Sequence, residues 1–313
     1  MRKVYLLTGL MALASLAYAD NDSKWTGQIV PRIEIEDSNN YGGDEAHPKW
    51  IKKLNGNLKH KDYPNWTFIY EFMHQEKNTP HFFDNVDGET LYRIYPGIKY
   101  SRKVTDDLTL GLTLRDRWHL TENAEGKTTS KLNSYRIIPN FSYQVTDKLE
   151  VHSQVMFYKD IFYDRDFERS KTQRNSLGHE VYAGFTYRFA PGCFFLADYW
   201  EESWEKEHDS YENDKFRHQQ IRPTLSLKVS EKNTVEFYGR IQILDGQVTR
   251  DNKKGKTKVE RDRYGVDFIH RFSPSFILNV GFATEPNVKT TDYDGKVSKY
   301  DWFYYTGRIV YKF

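Results

Sequence analysis

Charged side chains in this chain recur two residues apart, with apolar residues between them. Arg32 and Glu34 flank Ile33, Arg136 stands between Tyr135 and Ile137, Arg222 between Ile221 and Pro223, and Arg308 between Gly307 and Ile309. A period of two places all the charges on one face of a β-strand and the apolar residues on the other. The charged face carries Arg32, Glu34, Arg93, Arg115, Arg117, Arg136, Glu150, Glu180, Arg188, Arg222, Glu236, Arg240, Arg263 and Arg308, ten arginines against four glutamates. Guanidinium and carboxylate groups in such numbers cannot be buried dry; they need water or one another. Two chemistries fit. A wetted, mainly basic wall would favour anionic solutes in an aqueous passage. Alternating Arg and Glu could instead form ion-pair ladders that only stiffen the wall.

Catalytic spacings are poorly represented. Gly255-Lys256-Thr257 lacks the glycine five residues earlier that a phosphate loop needs, since Arg250 stands there. His179-Glu180 is followed at position 183 by Ala183, where a zinc-protease helix needs its second histidine. His152 and Glu150 share a strand face and form the best acid–base pair. No metal site and no cofactor is expected. The single Cys193 excludes an internal disulfide.

The elements that must carry these residues are strands. Leu108, Leu110, Leu112 and Leu114 alternate with Thr109, Gly111, Thr113 and Arg115; Val181, Ala183, Phe185 and Tyr187 alternate with Glu180, Gly184, Thr186 and Arg188. The same pattern recurs to the terminal Phe313, in segments of roughly ten residues, the length of a transmembrane strand. The register of 49–60 and of 193–204 stays ambiguous, because in the latter Phe194 and Phe195 point to opposite faces. Connections alternate in length. Short ones include Thr146 to Lys148, Pro191-Gly192 and Ser273 to Ser275. Long ones include Asp37 to Lys49, Gln75 to Glu89, Ile161 to Gln173, Glu205 to Lys215, Thr249 to Lys258 and Pro286 to Ser298. The expected fold is all-β: a transmembrane antiparallel up-and-down barrel of about fourteen strands, with short periplasmic turns and long extracellular loops. Pro31, Pro139 and Pro223 lie inside strands, so bulges are expected there.

Composition agrees. The chain is 16% aromatic and 29% charged, with a mean hydropathy of −0.80. Aromatics are thus dispersed among charges, which fits neither a thick soluble core nor a disordered chain. Residues 1–19 read as a signal peptide: Arg2 and Lys3, an apolar run from Val4 to Leu16, and Ala17-Tyr18-Ala19 as the cleavage site. Residues 20–313 are then the barrel, and its formal charge falls from +2 to zero, which argues against nucleic acid as partner. Trp25, Trp66, Trp118, Trp302, Tyr143, Phe189 and Phe313 fall at strand ends, where interfacial girdles are expected. Glu201, Glu202, Glu205, Glu207, Asp209, Glu212 and Asp214 gather near one predicted loop, with Asp37, Asp44 and Glu45 in another. Acidic loops would oppose anions at the mouth, or present carboxylates for divalent cations beside lipopolysaccharide.

Four stretches resemble a known family: Tyr135-Arg136-Ile137-Ile138-Pro139-Asn140, Val145-Thr146-Asp147-Lys148-Leu149, Gln220-Ile221-Arg222 and the terminal Tyr311-Lys312-Phe313. They are similar to the OmpG-type monomeric outer-membrane porins. The resemblance implies a fourteen-stranded, single-chain pore for passive, fairly nonselective diffusion of oligosaccharides and ions, with no enzyme activity. Its expected partners are outer-membrane lipid and lipopolysaccharide, small hydrophilic solutes, and the barrel assembly machinery through Phe313. The smaller oligogalacturonate porins, with a basic lumen, are a related family. The alternatives are a structural or adhesin-like barrel with an occluded lumen, and an outer-membrane hydrolase.

Overall fold

A computed structural model describes residues 24–40, 48–76, 89–164, 174–207, 213–250 and 255–313. The expected signal peptide, Asp44, Glu45, Asp209 and Glu212 lie outside them. In chain order the strands are β1 (Trp25–Asn40), β2 (Lys49–His60), β3 (Trp66–Glu76), β4 (Thr90–Ile94), β5 (Gly97–Lys103), β6 (Leu108–Glu122), β7 (Thr128–Gln144), β8 (Leu149–Asp164), β9 (Arg174–Ala190), β10 (Cys193–Glu207), β11 (Asn213–Lys228), β12 (Asn233–Arg250), β13 (Lys256–Glu260), β14 (Arg263–Arg271), β15 (Phe276–Thr291) and β16 (Val297–Lys312). All pairings are antiparallel, and β1 pairs with β16, so the sheet closes. Segments β4 and β5 both pair with β3 and β6; β13 and β14 both pair with β12 and β15. Each couple is one barrel strand interrupted once, at Tyr95-Pro96 and at Arg261-Asp262. The barrel therefore has fourteen strands.

Exposure along β7 shows which face is inward. Tyr135 and Ile137 are 51% and 53% exposed, whereas Arg136 and Ile138 are 8% and 7%. The apolar face thus looks outward and the charged face inward, as a membrane barrel requires. Outward residues stay apolar over about four positions per strand and then turn polar. In β6 they run Leu108, Leu110, Leu112, Leu114, then Asp116, with Trp118 and Leu120 beyond it. In β10 they run Phe195, Ala197, Tyr199, then Glu201, Ser203 and Glu205. Eight residues on a tilted strand cover roughly 20–25 Å, the height of the lipid-facing band. The strands themselves are longer, up to 18 residues in β12. They carry the wall beyond the lipid band on the extracellular side.

This extension shortens the expected long loops. The described ends of Glu205 to Lys215 and of Thr249 to Lys258 are strand, with Glu205 opposite Lys215 and Thr249 opposite Lys256. Pro286 to Ser298 likewise contains the end of β15, with Thr290 opposite Ser298. Above the lipid band neither face is required to be apolar, so the alternation that marks a strand weakens while the hydrogen-bond ladder continues. The acidic gathering is split by the same geometry. Glu202 and Asp214 face inward, Glu201 and Glu205 outward, and Asp214 is held by Arg250 at 2.7 Å.

The expected bulges at the strand prolines are absent. Pro31, Pro139 and Pro223 stay paired with Leu54, Leu112 and Ala197, and the ladder on the other side reopens in the same register. Each proline loses only the bond its missing N–H would have donated. Bulges occur instead at Thr121/Glu122, Cys193/Phe194, Arg217 to Gln220 and Glu285/Val288.

Four periplasmic turns share one design. The N–H of Val104, Val145, Val229 and Phe272 donates to the carbonyl four residues on, at 2.8, 2.8, 3.0 and 3.0 Å. The next residue is Thr105, Thr146, Ser230 or Ser273, and its hydroxyl accepts from the backbone N–H three residues later. That is the local hydroxyl–backbone bond that makes Ser and Thr good turn residues. At the seam, Gly27 and Phe313 exchange both backbone bonds, and the Phe313 ring packs on Ile29, Leu54 and Tyr70.

Candidate functional site

The inward face of the barrel is the candidate site. The strand register places all fourteen residues singled out from the sequence on it. Five of them, Arg32, Glu34, Arg240, Arg263 and Arg308, come together from four different strands around one cavity with Tyr238, Asp267 and Tyr304. Arg32 contacts Glu34, which also lies 3.9 Å from Lys53. Arg263 binds Glu285 at 2.8 Å and covers the Tyr304 ring at 3.6 Å. On the far wall Arg93 meets Glu71 at 3.2 Å and His119 at 2.7 Å, and Arg117 meets Asp160 at 3.4 Å. Arg136 donates to the Ser134 hydroxyl and lies 5.1 Å from the Tyr158 ring. Arg222 donates to the Tyr182 hydroxyl and covers the Trp200 ring at 3.9 Å. Glu150, Arg188 and Glu236 stand apart from this belt, near the periplasmic mouth; Glu150 pairs with Arg188 at 3.1 Å and Glu236 accepts from Ser226.

Residues 28–311 match the Outer membrane protein G (OmpG) porin family. The chain belongs to that family. Its OmpG-family membership and closed barrel place it in the bacterial outer membrane as a channel protein. It is 24% identical over 325 aligned positions to outer membrane porin G of Escherichia coli (strain K12), covering 98% of each chain. The fold also resembles the toluene transporter TodX of Pseudomonas putida, with a TM-score of 0.53, 9% identity and coverage of 96% and 91% of the two chains. A FadL homologue of Pseudomonas aeruginosa gives a TM-score of 0.53, 10% identity and coverage of 95% and 92%. At such identities the two structures establish a common barrel architecture only.

Sequence reasoning named none of the inward aromatics of this OmpG-family barrel as site residues, although its register put Tyr238 on the charged face. Tyr95, Tyr158, Tyr182, Trp200, Trp204, Tyr238 and Tyr304 all occupy inward positions. Five of these rings stack under arginines. Cation–π contacts of this kind contribute on the order of 0.5–2 kcal/mol each, and they hold guanidiniums in place without neutralising them. The usable signal was parity: an aromatic at a position whose neighbours two residues away are charged. Trp302 is a correction of the same sort. It was expected in an outward girdle, but it lies opposite Glu285 on the inward face.

The ambiguous register of 193–204 is now clear: Phe194, Leu196, Asp198, Trp200, Glu202 and Trp204 point inward. Asp198 reaches past Gly184 to His152, with Nε2 and Oδ1 2.7 Å apart. A Cβ on Gly184 would lie 2.2 Å from Asp198 Oδ1, so only glycine leaves room for this strand-skipping pair. His152 therefore pairs with Asp198 and not with Glu150, whose partner is Arg188. The candidate acid–base couple named from the sequence does not form.

Proposed function

We propose that this OmpG-family protein is a water-filled pore through which small hydrophilic solutes, oligosaccharides and ions among them, diffuse passively across the outer membrane. One observation carries the reading: the guanidiniums of Arg115, Arg136, Arg222, Arg240 and Arg308 face the barrel interior without a carboxylate within 4 Å among the described residues. Charges so placed are stable only if hydrated. The same lining argues against apolar cargo such as that named for the toluene transporter. Inward carboxylates without an ion pair among the described residues, Glu180, Glu202, Glu236 and Asp267, nearly balance these arginines, so the anion preference is mild. Closure of the sheet by one chain supports a monomer. Rings such as Trp25, Trp66 and Trp118, exposed outward at 48%, 46% and 42%, support contact with lipid and lipopolysaccharide at the interfaces. The position of Phe313 at the periplasmic end supports its reading as the assembly signal.

Planar-bilayer recording of the purified protein tests the proposal. Discrete conductance steps are expected, with a reversal potential in asymmetric KCl displaced slightly toward that of chloride. Absence of steps from correctly folded protein would favour the occluded, structural barrel.

A further inference from the structure

We infer that the outer wall of the barrel over β13 to β16 is a binding site for a phosphorylated membrane lipid, with its acyl chain in a groove across Gly307 and its phosphate on Lys258, Lys289 and Lys299. The site lies outside the lumen and does not depend on conduction; it gives a place and a chemistry to the lipid contact proposed above. On the outward face of β1, β14, β15 and β16, Ile33, Ile35, Phe268, Val280, Phe282 and Tyr305 line an apolar groove of about 540 Å³, a volume within the range of small-ligand sites. Its floor is Gly307, where an added Cβ would meet no atom within 4 Å. The Phe282 and Tyr305 rings form one flank, with centroids 5.4 Å apart and planes at 50°. Large side chains thus surround a position that has none. A flexible hydrocarbon chain follows such a recess, whereas the convex wall of a second barrel bridges it.

The polar end of the ligand follows from what stands above the groove. On β16 the outward residues climb from Gly307 through Tyr305, Phe303 and Asp301 to Lys299. Lys299 is four residues above Phe303, roughly 10 Å along the membrane normal on a tilted strand, which is the headgroup level of the extracellular leaflet. Lys289 lies directly opposite Lys299, a like-charged pair that is unfavourable unless an anion joins it. Lys258 stands opposite Thr291, two residues beyond Lys289 on the same face, and Lys256 is two residues further on. Lys289 is 3.5 Å from Glu260, and Lys256 donates to Gln247 at 2.7 Å. Lys258 and Lys299 have no ion-pair partner among the described residues. Asp301 accepts from the Asn287 N–H at 2.7 Å. Four lysines against the two carboxylates Glu260 and Asp301 leave positive charge in excess where an anionic leaflet holds its phosphates. On the β2 to β6 wall the balance is different: above the lipid band Glu76, Asp116 and Glu122 face outward, and Lys52 is matched by Glu76 at 2.9 Å. An amphiphile with acyl chains and a phosphate meets both parts of the β13 to β16 wall. In the outer leaflet that is a phosphorylated glycolipid of the lipopolysaccharide kind.

Diphosphoryl lipid A is the probe, titrated into the purified, folded protein in detergent and read by native mass spectrometry, with phosphatidylcholine of matched acyl length as the zwitterionic control. Wild type should hold one lipid A more tightly than it holds phosphatidylcholine. EDTA should leave it bound, because lysines make the contact and not divalent cations held on carboxylates. The Lys289→Ala, Lys299→Ala double variant should weaken lipid A by more than about tenfold, from roughly a factor of five for each lysine at such a surface, and leave phosphatidylcholine unchanged. Replacing both lysines by arginine should retain the binding, which guards against a folding defect in the alanine variant. Gly307→Leu fills the groove from the lipid side and should weaken both lipids. Lipid A binding that ignores the lysine and glycine variants would overturn the site, as would binding abolished by EDTA. Full displacement by millimolar inorganic phosphate would also overturn it, since an ion alone would then suffice. A dimer lost in Gly307→Leu would assign the groove to a second copy instead. Conductance steps without lipid A binding would overturn the site and leave the pore reading standing; lipid A binding without conductance would keep the site and sink the pore.

Discussion

The Arg115 guanidinium carbon sits 3.1 Å from the centroid of the Tyr95 ring, and the same guanidinium donates to the Tyr95 carbonyl at 2.7 Å. Tyr95 stands where β4 and β5 are interrupted, just before Pro96, and its own N–H and carbonyl still pair with Glu71. One residue therefore closes a gap in the strand and holds an arginine over the lumen.

A graded response at position 95 is the consequence. Tyr95→Ala should destabilise the folded barrel by about 3–5 kcal/mol, from lost ring burial and cation–π contact. Tyr95→Phe keeps the ring and should cost well under about 1 kcal/mol. Urea unfolding in detergent, followed by tryptophan fluorescence, reads both. Equal losses for the two variants would show that the hydroxyl, not the ring face, matters.

At position 184 the backbone itself is the obstacle. A Cβ there would approach the Ala197 carbonyl to 2.3 Å as well as Asp198 Oδ1 to 2.2 Å. Gly184→Ala should therefore cost more than about 2 kcal/mol, and Asp198→Ala should rescue it only in part. Gly307 is the control: a Cβ there would meet no atom within 4 Å, and the residue faces outward. Gly307→Ala should be neutral or slightly stabilising, by up to about 1 kcal/mol. Comparable losses at both positions in the same unfolding assay would contradict the steric account.

These two sites also mark what the sequence could disclose. Period-two alternation sufficed to assign Arg136 and Ile137 to opposite faces, because lipid demands apolar side chains on one side of the wall. It failed above the lipid band, where Glu205 and Lys215 pair across strands in water and neither face is required to be apolar. It also passed over Trp200, Trp204 and Trp302, since hydrophobicity suggested lipid where parity dictated the lumen. Pairs that skip a strand, such as His152 with Asp198 over Gly184, depend on register between three strands. No single segment contains that information.

Selectivity should respond to an unpaired arginine and not to a paired one. Arg240 faces the lumen beside Arg263 and Arg308 with no ion-pair partner among the described residues, whereas Arg188 is already matched by Glu150. Arg240→Ala should move the reversal potential in asymmetric KCl toward potassium, and Arg240→Glu should move it further. Arg188→Ala should leave it nearly unchanged, because its charge is offset locally and its side chain is 46% exposed. A larger effect from Arg188 would put the selectivity-determining charges at the periplasmic mouth.

The periplasmic turns allow the most direct test of a local signal read from sequence. In Val145-Thr146-Asp147-Lys148-Leu149 the Thr146 hydroxyl accepts from Lys148 N–H at 3.3 Å and Leu149 N–H at 3.1 Å. The turn is exposed, so losing this hydroxyl does not strand the donors; water replaces it. Thr146→Ala should then cost only about 0.5–1.5 kcal/mol, the net worth of such a bond. Thr146→Ser, which keeps the oxygen as Ser230 and Ser273 do in their turns, should cost a few tenths at most, on the order of a surface substitution. Thr105 accepts in the same way from Leu108 at 3.0 Å in a separate hairpin. Because the two hydroxyls share no partner, the losses in the Thr105→Ala, Thr146→Ala double variant should add. Urea midpoints for the wild type, the two single variants and the double variant decide the point. A double variant no worse than either single one would mean that the strand ladders alone set these turns.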